Sequence, residues 1–197
     1  MADLKAPFLN YAMLKTKAKA FLDQYHSSGE LPIPIEEIIE FQLGINIIPI
    51  PGLQRVLSVD AFLSQDLKSI SVDEAVFDGR PHRYRFSLAH ELAHLVLHHE
   101  IYRELGSNSI SEWKENIQRL PDREYSYLET QANSFAGLVL VPPENLAEEL
   151  EKARKTLEKN GSESEFLYSM IAEELSYLFD TSSQTIEIRM NKDGLIR

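Results

Sequence analysis

His90, Glu91 and His94 fall within five residues of one another, in the stretch FSLAHELAHLVLHH that covers residues 86–99. Two histidines four apart on a helix differ by about 40° around the axis and about 6 Å along it, so both imidazoles reach one metal ion from the same face. Glu91 is turned by about 100° from His90 and is poorly placed as a third ligand at the same point. It stands instead beside the ion, where a carboxylate takes a proton from activated water. That is the general-base role that HExxH spacing serves in metal-dependent hydrolysis.

The plain alternative is a core helix whose histidines are merely hydrogen-bonded. Phe86, Leu88, Ala89, Leu92, Ala93, Leu95, Val96 and Leu97 make the segment apolar almost all round, the pattern of a buried helix. Two imidazoles and a carboxylate in such a helix are costly without partners. A metal and a cleft satisfy them.

A catalytic zinc site uses three protein ligands and keeps one position open. The chain has no cysteine, so the third ligand must be His, Asp or Glu. Glu129, in LETQANSFAGLVLVPP, is the best placed. Leu128, Ala132, Phe135 and Val139 form a helical stripe, Glu129 and Asn133 lie on an adjoining face, and Pro142 and Pro143 end the helix. Asn133, one turn after Glu129, is positioned to hydrogen-bond a ligating histidine. Taken alone, Glu129 reads better as a solvated helix carboxylate.

HELAHLVLHH followed by ETQANSFAGLVLVPP resembles the ImmA/IrrE family of metallopeptidases, which pairs HExxH with a later E-x-x-A-N/D-x-F-A segment. The resemblance implies that His90, His94 and Glu129 bind zinc and that Glu91 is catalytic. It also implies limited proteolysis of a DNA-binding repressor, a helix-turn-helix protein, relieving transcriptional repression. It extends more weakly over most of the chain. Many relatives carry a further DNA-binding or sensory domain, and these 197 residues leave no room for one in full.

The elements that must hold these residues fit one domain of this length. Hydrophobic residues make up 43% of the chain, enough for a sizeable core. The formal net charge of −11 argues against a general nucleic-acid or anionic-membrane surface and suits a basic protein partner. The lack of cysteine excludes disulfide and thiol chemistry and fits a reducing cytosol. The first residues show no signal-peptide core, and no apolar run approaches the roughly 20 residues of a membrane span. The expectation is a cytoplasmic protein without membrane contact.

In chain order, the pattern predicts a helix over 8–25, the loop SSGELPIP, and a short helix over 35–43 between Pro34 and Gly44. Strands are expected at 45–50, 55–64 and 68–73, forming a small antiparallel sheet whose edge could align an extended peptide. Gly79, Arg80 and Pro81 read as a turn before the basic group His82, Arg83, Tyr84 and Arg85. That group either holds a substrate carboxylate or, by preference, makes ion pairs within the fold. His98 and His99 follow the motif. His98 is one turn too far along to aim at the same metal and reads at best as an outer partner of the site, and for both histidines a plain surface or core position is preferred.

Residues 104–127 separate the two ligand helices. SISEWKENIQRLP has capping-box spacing from Ser109 to Glu112, contains the only tryptophan, Trp113, and could form a lid. Tyr125 and Tyr127, close to Glu129, are oxyanion candidates, with packing as the default for both. After the prolines, Leu146, Leu150, Ala153 and Leu157 stripe a charged helix that ends near Gly161. Two helices follow, at 166–179 and 182–190, with Ser182 as N-cap, in an outline that resembles a helix-turn-helix. The second offers Gln184, Arg189 and Asn191 to DNA but also Glu187, and core packing is preferred.

The sequence therefore predicts an α+β fold, a helical body with a small antiparallel zincin-like sheet. A metallopeptidase-like region spans 1–145, and a C-terminal helical segment over 146–197 packs on it. The expected function is zinc-dependent peptide-bond hydrolysis, with one zinc per chain and manganese as an alternative. The rival readings are a metal-containing regulator that acts by binding a partner without cleaving it, and a structural zinc domain. The latter is disfavoured because closed structural sites mostly use cysteine.

Overall fold

A computed structural model describes residues 5–105, 112, 115–116, 120–159 and 167–196. The expected lid with Ser109 and Trp113, the Leu157 side chain, Gly161 and Phe166 lie outside these residues. The fold is α+β, mostly helical with one three-stranded sheet. No helix among the described residues is long and apolar enough to cross a membrane.

Helix α1, Tyr11–Tyr25, starts where the Asn10 side chain caps the Met13 N–H, and buries Leu14, Ala18 and Phe21. Helix α2, Ile35–Glu37, continues as a π-turn over Ile38–Gln42. Strand β1, Asn46–Ile50, follows where the Ile-rich run predicted it.

The sheet differs from expectation in two ways. Residues Leu53–Leu57 form a short helix, α3, rather than the start of a strand, which shrinks to β2, Ala61–Leu63. The cause is distant in sequence: the Asp73 carboxylate accepts the Gln54 N–H at 2.9 Å and so caps α3. The sheet is also mixed rather than antiparallel. In the order β1-β3-β2, strand β3, Ser69–Asp73, pairs antiparallel with β2 but parallel with β1, Ile47 opposite Ile70. Helix α3 and β2 lie between β1 and β3 in the chain and supply the crossover that parallel pairing requires.

Asp73 also accepts the Ala75 N–H at 3.1 Å and opens α4, Glu74–Gly79, a helix the sequence reading did not expect. Pro81 then begins α5, Pro81–Leu105, so His82 to Arg85 form its first turn rather than a segment before it. These residues are tied into the fold. Arg83 pairs with Asp60, Arg85 donates to the Ile33 carbonyl at 2.8 Å and the Asp180 carbonyl at 2.9 Å, and His82 lies 3.4 Å from Asp180.

Helix α5 buries Leu88, Ala89, Leu92 and Ala93 completely and packs along α6, Asp122–Leu140, whose Ala132, Phe135, Ala136 and Val139 are equally buried. The Phe21 ring of α1 meets Phe135 edge-on at 6.2 Å between centroids, closing the core from the other side. Helix α7, Pro143–Lys159, buries Leu146, Leu150 and Ala153 as its stripe predicted. Helices α8, Leu167–Phe179, and α9, Ser183–Lys192, follow, with Ser182 capping α9 through the Thr185 N–H.

Arg189, offered by the sequence to DNA, is 2% exposed. Its guanidinium donates to the Val141 carbonyl at 3.2 Å and to the Tyr11 hydroxyl, and pairs with Asp193 at 2.7 Å. Gly137 makes room for it: a Cβ there would stand 3.1 Å from Arg189 Cδ. Burial pushes the Tyr11 hydroxyl up to about 12, so it stays protonated.

Candidate metal centre

Helix α5 presents His90 and His94 toward α6, which presents Glu129 between them. Their ligand atoms all lie within 4.8 Å of one another. His90 Nε2 is 3.0 Å from His94 Nε2 and 3.3 Å from Glu129 Oε2, and His94 Nε2 is 3.5 Å from Glu129 Oε1. Ligands at about 2.0–2.1 Å around a tetrahedral zinc stand roughly 3.3 Å apart, so the three edges fit such an ion.

The chemistry of the donors fits as well. His90 Nδ1 lies 3.1 Å from Asn133 Oδ1, an acceptor, which makes Nδ1 the protonated nitrogen and leaves the Nε2 lone pair facing His94 and Glu129. Three electron-pair donors thus converge on one point, an arrangement that calls for a cation. Burial opposes charge on His90, yet the Glu129 hydrogen bond and the nearby carboxylates raise its pKa above the usual 6.5. Burial likewise opposes the Glu129 carboxylate, but the two histidines hold it well below the usual carboxylate range. Burial pushes His94 down to about 3.

Glu91 is 6% exposed and lines the same cleft. Burial pushes its carboxyl up to about 7, partly countered by His90 and by the Leu63 backbone N–H that donates to it. A general base works best when its pKa lies near the operating pH.

Tyr125 reaches the cleft and hydrogen-bonds Glu129. Burial, reinforced by the Glu129 charge, raises its hydroxyl to about 12, which keeps it a donor. Tyr127, expected beside it, is 45% exposed, bonded to Arg123, and outside the cleft. One step of about 100° per residue puts two positions on nearly opposite sides of a helix, so both tyrosines could not face Glu129. His99 is on the surface, near Glu100.

His98 is 2% exposed, and its Nδ1 lies 3.1 Å from His94 Nδ1. Helix α5 leaves helical geometry at this residue, with φ −129° and ψ 16°. Sequence reasoning missed Tyr102. Its buried ring lies 4.5 Å from that of His94 and it lines the cleft. Its spacing, eight residues after His94 on the same helix, was the available signal. Gln131, which contacts His98 at 2.8 Å, was also missed. Nothing in its local sequence marks it.

The cleft at the metal centre has a volume of about 220 Å³ and shares Asp60, Phe86, Ser87 and Asn133 with a larger one of about 910 Å³. The larger cleft extends between the start of α5 and α9, past Gly137, Ile188 and Lys192.

No curated protein matches the chain. A solved structure titled "Mycobacterium tuberculosis transcriptional regulator" shares its fold, with a TM-score of 0.57 and 19% identity. The match covers 90% of this chain and 55% of that one, so the chain spans about half the length of that protein. A family model described as Peptidase_M78, IrrE N-terminal-like domain, matches residues 42–191, a span that holds all three convergent donors and Glu91, and the chain belongs to that family.

Proposed function

We propose that the chain is a zinc-dependent peptidase that cuts a DNA-binding repressor. The observation that carries this reading is the position of Glu91, buried beside the His90–His94–Glu129 triangle and open to the same cleft. A purely structural metal site has no use for a free carboxylate there.

His90, His94 and Glu129 would hold the metal, which when bound supplies Lewis-acid chemistry: it acidifies water and polarises a carbonyl. Glu91 accepts the proton of the attacking water and returns it to the leaving amine. Asn133 fixes the His90 ring so that Nε2 faces the centre. Tyr125, kept protonated by burial, donates to oxygen charge that develops on the substrate carbonyl.

Strand β2 supports an extended substrate. Asp73 N–H donates to the Asp60 carbonyl at 2.8 Å and Ser64 N–H to the Ser69 carbonyl at 2.9 Å. Alternation along an antiparallel pair then turns Ala61 and Leu63 away from β3. Leu63 spends its N–H on Glu91, while Ala61 lines the cleft with its backbone groups directed outward. A peptide laid along this edge would pair with Ala61 next to the general base. The net charge of −11 favours encounter with a basic surface, such as one that binds DNA.

The test mixes the zinc-loaded protein with a repressor encoded beside it and follows the repressor by mass spectrometry. A single cut that disappears in Glu91→Gln is expected. An intact repressor alongside efficient cleavage of unrelated unfolded proteins would replace this reading with a general peptidase.

A further inference from the structure

Four groups in a row connect the N-terminal segment to the metal centre. Gln131 Nε2 donates to the Pro7 carbonyl at 2.7 Å. Gln131 Oε1 lies 2.8 Å from His98 Nε2. His98 Nδ1 lies 3.1 Å from His94 Nδ1. His94 Nε2 faces His90 and Glu129.

The first of these contacts fixes all the others. A proline carbonyl can only accept, so the Gln131 amide must point its NH₂ at Pro7 and its oxygen at His98. That oxygen also only accepts, so His98 carries its proton on Nε2. A neutral His98 then has a lone pair on Nδ1, and neutrality is what a ring 2% exposed prefers. His94 must therefore donate from Nδ1, and its Nε2 lone pair is left to the metal. His94 and His98 stand four apart on α5, the spacing that brings two side chains together on one helix face, and the helix leaves regular geometry at His98.

We propose that His98 and Gln131, anchored on the Pro7 carbonyl, are positioning residues that set the tautomer and ring orientation of His94 before any metal arrives. The proposal rests on the metal reading of the site. The two metal histidines are then oriented by different devices: His90 directly by the Asn133 amide, His94 by a relay that ends on backbone outside α5 and α6. Ligand partners of this kind typically change metal affinity 10–100-fold.

The tautomers can be read without metal and without mutation. Long-range ¹H–¹⁵N correlation spectra of the metal-free protein at pH 8 should show His94 protonated on Nδ1 and His98 on Nε2. Zinc affinity, measured by competition with a chromophoric chelator, should fall 10–100-fold in His98→Leu. It should recover most of that loss in His98→Asn, whose amide oxygen takes the place of Nδ1. Gln131→Met, which leaves both rings in place, should let His98 populate the other tautomer and weaken zinc by a smaller factor. An Nε2-protonated His94, or a His98→Leu affinity within twofold of wild type, would overturn the relay while leaving the metal site intact. Wild-type protein that binds no zinc would instead overturn the metal reading, and the relay's role with it.

Discussion

Asn133 Oδ1 sits 3.1 Å from His90 Nδ1, one helical turn beyond Glu129 on the same face of α6. One helix thus supplies both a ligand and the group that orients another ligand. Asn133→Leu keeps the volume and removes the acceptor. It should weaken zinc binding by about 10–100-fold with little change in thermal stability. Chelator competition and a melting curve on the same sample check both halves.

Removing a ligand should do more. His94→Ala leaves two donors of three, and the purified variant should carry far less zinc than wild type by metal analysis. Equal zinc in the two proteins would place the metal elsewhere.

Among the three ligands, zinc binding should depend on pH through one proton. Glu129 is held well below the carboxylate range and His94 is pushed down to about 3, so neither carries a proton near neutrality. His90 is raised above 6.5, so below that range it is protonated and zinc must displace the proton. Apparent affinity should therefore fall about tenfold per pH unit as the pH drops below the His90 value, and flatten above it. Titrations between about pH 5 and pH 8 would show the slope. A slope of two protons would mean that Glu91, raised by burial to about 7, releases its proton as well.

Two structural substitutions should act on stability and spare the centre. Arg189→Ala strips a buried cation, leaving the Val141 carbonyl without its donor and the Asp193 carboxylate with Lys15 and Tyr11 alone. The expected loss is about 2–3 kcal/mol, roughly 5–10 °C in Tm for a chain of this size. Asp73→Ala removes the caps of α3 and α4 together and should cost about 2 kcal/mol, roughly 1 kcal/mol per cap. Chemical denaturation of each variant measures the difference.

Local pattern carried the helix of His90 and His94, the Leu128–Val139 stripe that placed Glu129, and the cap at Ser182, because each is set by residues within a turn or two. What failed was set from afar. Residues 55–57 look like the start of a strand until a carboxylate, nineteen residues on from Gln54, caps the helix there. Strand direction belongs to the whole sheet, so the parallel β1–β3 pair could not be read from alternation. Arg189 looked like a surface cation because its partners, Tyr11, Val141 and Asp193, meet only in the folded chain.

The Arg189 clasp has a consequence for the order of assembly. Tyr11 leaves the ribosome early, Val141 much later, and Arg189 and Asp193 after nearly all the rest of this sequence. The donors of the metal centre, the last of them Glu129, are all synthesised before the residue that locks α9 onto α6. The three donor side chains are therefore all in the chain before the Arg189 clasp on Tyr11 and the Val141 carbonyl can close, and the clasp is the last lock that this sequence supplies.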